Sequence, residues 1–138
     1  MPLEHSGQKN QKIKLQHADS LQADGDLHIS DQIWFVNNNW ERDKNMIQKD
    51  TYVCKGVGNE VYQPAFTYHG FRYVKVSGIT ESQAKKSLLT YLIYHTELNT
   101  RGDFQCSDEV TTALQKITRR SIVSNFYHFP TDCHITES

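Results

Sequence analysis

Residues 62–76 read YQPAFTYHGFRYVKV, gathering Tyr62, Phe66, Tyr68, Phe71 and Tyr73 around one histidine, His69, and one arginine, Arg72. Rings of this kind pack their faces against the C–H groups of a sugar, a histidine can act as a general base, and an arginine can hold a carboxylate. Trp40 offers a further ring that could join Tyr62, Phe66 and Tyr68 in such a stacking surface. The same residue types also fill the core of a β-sheet. Along Phe71–Val76 the side chains alternate, so Phe71, Tyr73 and Lys75 share one face and Arg72, Val74 and Val76 the other. Neither face is wholly apolar, and an arginine beside valines could pair with a carboxylate at the edge of a core. Gly70 reads as a bulge or a close backbone approach, and Pro64 as a strand start or an edge. On pattern alone a core strand and a ligand surface both stay open. His69 by itself reads as a structural histidine more readily than as a base.

Other reactive side chains are scattered. Cys54, Cys106 and Cys133 are odd in number and form no Cys-x-x-Cys pair, so they read as buried or incidental thiols and point to no metal or cofactor.

The elements that must position these residues are short. Residues 1–11 are polar and predict a disordered or loosely attached start. Lys12–His17 alternates as a strand with one buried face, and Ala23-Asp24-Gly25-Asp26 supplies a turn with Gly25 free to take positive φ. Gln32–Val36 and Asp50–Cys54 predict further strands, and Leu88–His95 a longer one with Leu89, Tyr91 and Ile93 on one face. Beyond it, Ser107 is the expected N-cap of a helix carrying Val110, Ala113, Leu114 and Ile117 at helical spacing. Lys116, Arg119 and Arg120 are expected near its C-terminus, where cations favour the dipole. Short strands followed by one helix predict an all-β, mainly antiparallel β-sandwich with a C-terminal α-helix. The domain plan is a loose start over 1–11, a sandwich over 12–105, and a C-terminal helical extension over 106–138.

The totals agree with one modest domain. The chain has 138 residues, and its fifteen basic and sixteen acidic side chains leave a formal charge of −1. No global field favours nucleic acid or an anionic membrane. No apolar run approaches the roughly 20 residues of a membrane span, and MPLEHSGQKNQ lacks the parts of a signal peptide, so a soluble, cytoplasmic protein is expected.

The wording of the sequence adds what composition cannot. Pro64-x-Phe66-Thr67-Tyr68-His69-Gly70-Phe71-Arg72-Tyr73-Val74-x-Val76-x-Gly78 resembles the P-x-F-T-Y-H-G-F-R-Y-V-E-V-x-G segment of bacterial α-L-rhamnosidases, with Lys75 in place of Glu. Ile13–Asp19 with Leu21 and Gly25 resembles a strand of that family, its H-A-E-x-L segment and the turn that follows, and Asp50-Thr51-Tyr52 its D-x-Y strand. Gly102–Ser107 resembles G-x-F-x-C-S, and Ser124-Asn125 with Pro130–Cys133 resembles the S-N and P-T-D-C that open the catalytic domain. The ordered matches span residues 12–133.

The resemblance implies a concanavalin-like, jelly-roll type sandwich placed before an (α/α)6-barrel catalytic domain, with residues 106–138 as the linker helix and truncated start of that domain. It also implies a parent enzyme that hydrolyses terminal non-reducing α-L-rhamnose with inversion, using one carboxylic acid and one carboxylate. This chain departs from the family's acid-bearing segment: after Asp132-Cys133 it reads His134-Ile135-Thr136-Glu137-Ser138. Asp132 matches a sugar-binding aspartate of the family, and Glu137 falls near the place of its acid without a shell to raise its pKa. That departure reads as a shortened or frame-shifted reading frame, or as a boundary at which the sequence was cut. The expectation is a non-catalytic sandwich domain, inactive alone, that packs against a catalytic barrel or a second copy through His69, Phe71, Arg72 and Tyr73. The alternative is a rhamnose-binding module using Tyr62, Phe66, Tyr68 and Trp40.

Overall fold

The computed structural model describes residues 1–29, 48–128, 130 and 131. The strand expected at Gln32–Val36, the ring of Trp40, and Asp132, Cys133 and Glu137 lie outside the described residues. The chain divides into two compact units, one of residues 1–92 and the other beginning at Ile93.

In the first unit, seven strands are described: β1 (Leu3–His5), β2 (Lys12–Ala18), β3 (Ser20–Leu21), β4 (Leu27–His28), β5 (Lys49–Val53), β6 (Glu60–Tyr62) and β7 (Tyr73–Ser77). All pair antiparallel. The largest sheet has the order β5-β2-β7, while β1 pairs with β6 and β3 with β4. β2 lies at the centre because its alternation is the cleanest in the chain. Ile13, Leu15 and His17 are buried, while Lys12 and Lys14 face solvent. Register carries that buried face across the sheet: Ile13 lies opposite Tyr52, Leu15 opposite both Asp50 and Val76, and His17 opposite Val74. The core is built on it from Leu3, Ile13, Leu15, Cys54 and Leu88, with Tyr52, Tyr62, Val74, Val76, Ile79 and Leu89 packed around.

The β3–β4 hairpin turns as its sequence predicts. Gly25 takes a φ of +86°, and the Asp26 amide donates to the Asp24 carboxylate at 3.0 Å. Four sequence expectations are corrected. The N-terminus is not loose: Leu3 and His5 are buried, β1 pairs with β6, and the Thr90 amide donates to the Pro2 carbonyl at 3.1 Å. Leu88–His95 is not a strand. Leu88 closes a 3-10 turn (Lys86–Leu88), and Leu89 forms a single bridge to Leu3 rather than part of a ladder. Residues that favour β conformation form a ladder only where a neighbouring edge supplies the hydrogen bonds. Phe66–Gly70 is likewise loop rather than strand, with Phe66 at a φ of +59°.

The fourth correction concerns the second unit, which centres on α1 (Glu109–Ser124). Its cap is Asp108 rather than Ser107. The Asp108 carboxylate accepts from the amides of Val110 at 2.8 Å and Thr111 at 3.3 Å, and a charged acceptor also complements the helix dipole. The helix runs on to Ser124, so Lys116, Arg119 and Arg120 precede its last turn. Arg119 instead reaches Asp103 at 3.5 Å and Thr100 at 3.0 Å. Val110, Leu114, Ile117 and Ile122 lie exposed along α1.

Candidate functional site

Three histidine and carboxylate side chains from separate stretches meet at one end of the central sheet. His17 comes from the buried face of β2, Asp50 from β5, and His69 from the segment between β6 and β7. His69 Nε2 lies 3.0 Å from Asp50 Oδ2, with both side chains about one-tenth exposed. The imidazoles of His17 and His69 stack with ring centres 4.3 Å apart, and Phe71 closes over His17 at 4.7 Å. Phe71 in turn meets the edge of Tyr91 at 5.2 Å.

The tautomer of His17 follows from its partner. Nδ1 sits 2.9 Å from the Gln48 carbonyl, which can only accept, so Nδ1 carries the proton and Nε2 the lone pair. Burial brings the His17 pKa down to about 4, against a smaller upward pull from the Gln48 bond, so this imidazole is neutral near pH 7. For Asp50, burial pushes the carboxyl up, but the hydrogen bond from His69 and the neighbouring imidazoles outweigh it, and the net shift is downward.

A second polar network ties β5 to β6. The Tyr52 hydroxyl donates to Glu60, which also accepts from the amides of Lys55 at 2.9 Å and Gly56 at 2.8 Å. With the Tyr52 bond as the largest cause, Glu60 falls to about 2, and Tyr52 rises to about 12. A carboxylate depressed in the folded state stabilises it fully above its ordinary value near 4.5, and that contribution fades as pH falls toward 2. Glu60→Gln should therefore lower the urea midpoint at pH 7 and flatten its decline between about pH 4.5 and 2.5. An unchanged acid limb in the variant would show that Glu60 is not the linked group.

The residues singled out from the sequence fall in different places. Tyr62 stacks on Tyr52 with ring centres 4.9 Å apart, so one of its faces is already covered. Phe66 stands fully exposed and Tyr68 is half-buried. His69 and Phe71 turn inward to the cluster, while Arg72 lies exposed with its guanidinium 5.5 Å from the centre of the Tyr73 ring. Cys54 is a core residue, and burial pushes its thiol up, away from nucleophilic character. The pairing of His17 and Asp50 with His69 is not among the sequence expectations. Its one signal in the sequence is His17 itself, a polar residue in phase with Ile13 and Leu15 on the buried side of β2.

Three motifs that carry the family resemblance, with His17 in the first, Asp50 in the second and His69 in the third, thus converge on one cluster. The model of the bacterial α-L-rhamnosidase concanavalin-like domain matches residues 1–94. The chain belongs to this family.

Among curated relatives, an α-L-rhamnosidase of Streptomyces avermitilis is 30% identical over 127 residues, covering 92% of this chain and 11% of the relative. One of Formosa agariphila is 35% identical over 88 residues, 64% of this chain and 9% of the relative. The crystal structure of the Streptomyces avermitilis α-L-rhamnosidase complexed with L-rhamnose superposes with a TM-score of 0.73 at 29% identity, over 95% of this chain and 12% of that one. Native α-L-rhamnosidase from Aspergillus terreus gives 0.74 at 26% identity, over 96% and 14%. The chain therefore spans about a tenth of the length of the curated rhamnosidases it matches. Within the family it corresponds to the concanavalin-like domain, and the antiparallel architecture with one C-terminal helix agrees with that assignment. Among the described residues, no helix is long and apolar enough to cross a membrane.

Proposed function

We propose that this chain is a non-catalytic sandwich domain of the α-L-rhamnosidase family, folding on its own core and serving a catalytic domain by packing rather than by chemistry. The carrying observation is the direction in which its carboxyls are displaced. Inverting glycoside hydrolysis needs one carboxylic acid held protonated near neutrality. Among the described residues, every carboxyl with a displaced pKa moves the other way: Asp26 by its bond from Lys75, Glu60 by Tyr52, Asp108 by the helix amides, and Asp50 by His69 against burial. Each is fixed as an anion by a structural partner. The exposed apolar residues of α1 supply surface suited to a neighbouring domain.

The test is incubation of the purified chain with p-nitrophenyl α-L-rhamnoside. No release of nitrophenolate above the uncatalysed rate is expected, and turnover that follows the chain through successive columns sinks the reading.

A second reading, rhamnose binding without hydrolysis, has one supporting observation: the ring of Phe66 is fully exposed on a loop. Titration with L-rhamnose followed by NMR would move the Phe66 and Tyr68 signals if it holds. A flat response at millimolar sugar removes it.

A further inference from the structure

We propose that His17, Asp50 and His69 form a binding site for a late first-row divalent cation of the Zn²⁺ type. Two imidazoles and a carboxylate are the donor set such ions take, whereas Ca²⁺ and Mg²⁺ favour all-oxygen sites. One ligand atom from each residue lies within 4.8 Å of the other two. Ligand atoms about 2.0–2.2 Å from a tetrahedral ion stand roughly 3.3–3.6 Å apart. The Asp50–His69 edge, at 3.0 Å, is a few tenths of an ångström inside that spacing and opens slightly when an ion replaces the proton between the two atoms. The longest edge has to close by about 1 Å, within reach of side-chain rotation on the half-buried His69 loop.

Two further observations favour an ion over a closed hydrogen-bond network. The Gln48 carbonyl fixes the proton of His17 on Nδ1 and so leaves Nε2 as a lone-pair donor. This is the outer-shell arrangement that orients metal-binding histidines. The cluster also carries more polar capacity than its protein neighbours use. His69 Nδ1 is buried without a partner among the described residues. Buried polar atoms left unpaired are rare, and a free Nδ1 can take up the ring proton when Nε2 binds an ion.

Binding exchanges the tautomer of one ring. The ion enters the edge between Asp50 Oδ2 and His69 Nε2 and forms bonds to both and to His17, while the proton of His69 Nε2 passes through solvent to the unpartnered Nδ1, so that His69 binds as a neutral imidazole. No oxidation change is involved. The three ligands leave a fourth position for water. The sequence alone points to no metal because no two of these residues share a local motif; only the antiparallel register of β2 with β5 and the return of the chain through His69 bring them together.

The experiment uses the whole chain after treatment with chelator. Co²⁺ is added while visible absorbance is followed, Zn²⁺ is then added in competition, and histidine ring nitrogens are monitored by long-range proton–nitrogen NMR. One equivalent should bind with micromolar or tighter affinity, shift the ring signals of His17 and His69, and raise the Tm. Asp50→Asn, which keeps size and an acceptor for His69, and His69→Gln should each weaken binding by at least the ~10–100-fold lost with an outer-shell partner. No cobalt band with unmoved His17 and His69 signals overturns the proposal. So does binding that moves only other histidines, or that persists unchanged in both variants.

Discussion

Gly78→Ala should be among the most damaging single substitutions in the first unit, lowering its stability by roughly 2–5 kcal/mol. Two independent costs combine there. Gly78 follows the end of β7 at a φ of +84°, a conformation that side chains disfavour by about 1–2 kcal/mol. A Cβ at this position would also stand 2.0 Å from the carbonyl oxygen of Lys12. That oxygen belongs to the first residue of β2 and cannot swing aside as a flexible side chain would, so backbone must shift by more than about 1 Å, with a cost of order 1–3 kcal/mol. The displaced backbone also carries the Gly78 carbonyl, which accepts from Gln11 Nε2 at 2.7 Å. For a unit of this size each kcal/mol moves Tm by about 4–8 °C, so a fall of roughly 8–40 °C is expected by calorimetry. Gly25→Ala is the internal control. Its φ of +86° is nearly the same, yet an added Cβ there meets nothing within 4 Å, so it should show the backbone cost alone. Equal losses in the two variants would mean that the close approach of Gly78 to β2 has no energetic weight.

What the sequence makes legible divides along the same physical line. Strands that alternate with a period of two or are rich in β-branched and aromatic residues can be read directly: β2, β5 and β7 lie within a residue or two of their expected positions. So can the turn at Gly25, because its chemistry is local. Leu88–His95 misleads because side-chain preference says nothing about whether an edge is free to pair, and β1 is hidden because three residues cannot display a period. The helix shows in its apolar spacing, whereas its cap falls one residue later than expected. Ser107 and Asp108 are both acceptable caps, and only geometry shows which carboxyl or hydroxyl meets the free amides.

The cluster at His17 follows a different rule. His69 stands out within YQPAFTYHGFRYVKV, yet nothing near it in sequence can decide between base, packing residue and ligand. Its partners lie 52 and 19 positions upstream, at His17 and Asp50. Register joins them: β2 sets Leu15 against Asp50 on one side and His17 against Val74 on the other, so both polar side chains reach the same end of the buried face. The strand that reads as apolar core is thus also the scaffold of the polar site. For that reason the ring of Phe71 serves as its wall, backed by the edge contact with Tyr91, where the aromatic content of the motif by itself suggests a sugar surface.

Leu3→Ala should cost about 2–5 kcal/mol, although Leu3 lies in a stretch whose composition suggests disorder. Its side chain is 0% exposed and belongs to the same cluster as Ile13, Leu15, Cys54 and Leu88. Around it the backbone is held on two sides, by Tyr62 across the β1–β6 ladder and by Leu89 through a single bridge. A cavity left at that point cannot be filled by collapse of one neighbour without breaking one of these pairings, which favours the upper part of the range. Leu21→Ala, at an exposed position on β3, should change stability by no more than about 0.5 kcal/mol. Urea denaturation followed by tyrosine fluorescence measures both, and an unchanged slope with a lowered midpoint is the expected form for Leu3→Ala. A loss as small as that of Leu21→Ala would mean that β1 detaches from the folded unit at little cost. A large loss instead makes the first six residues part of the platform, because β1 holds β6, and the chain leaving β6 carries His69 back to His17 and Asp50.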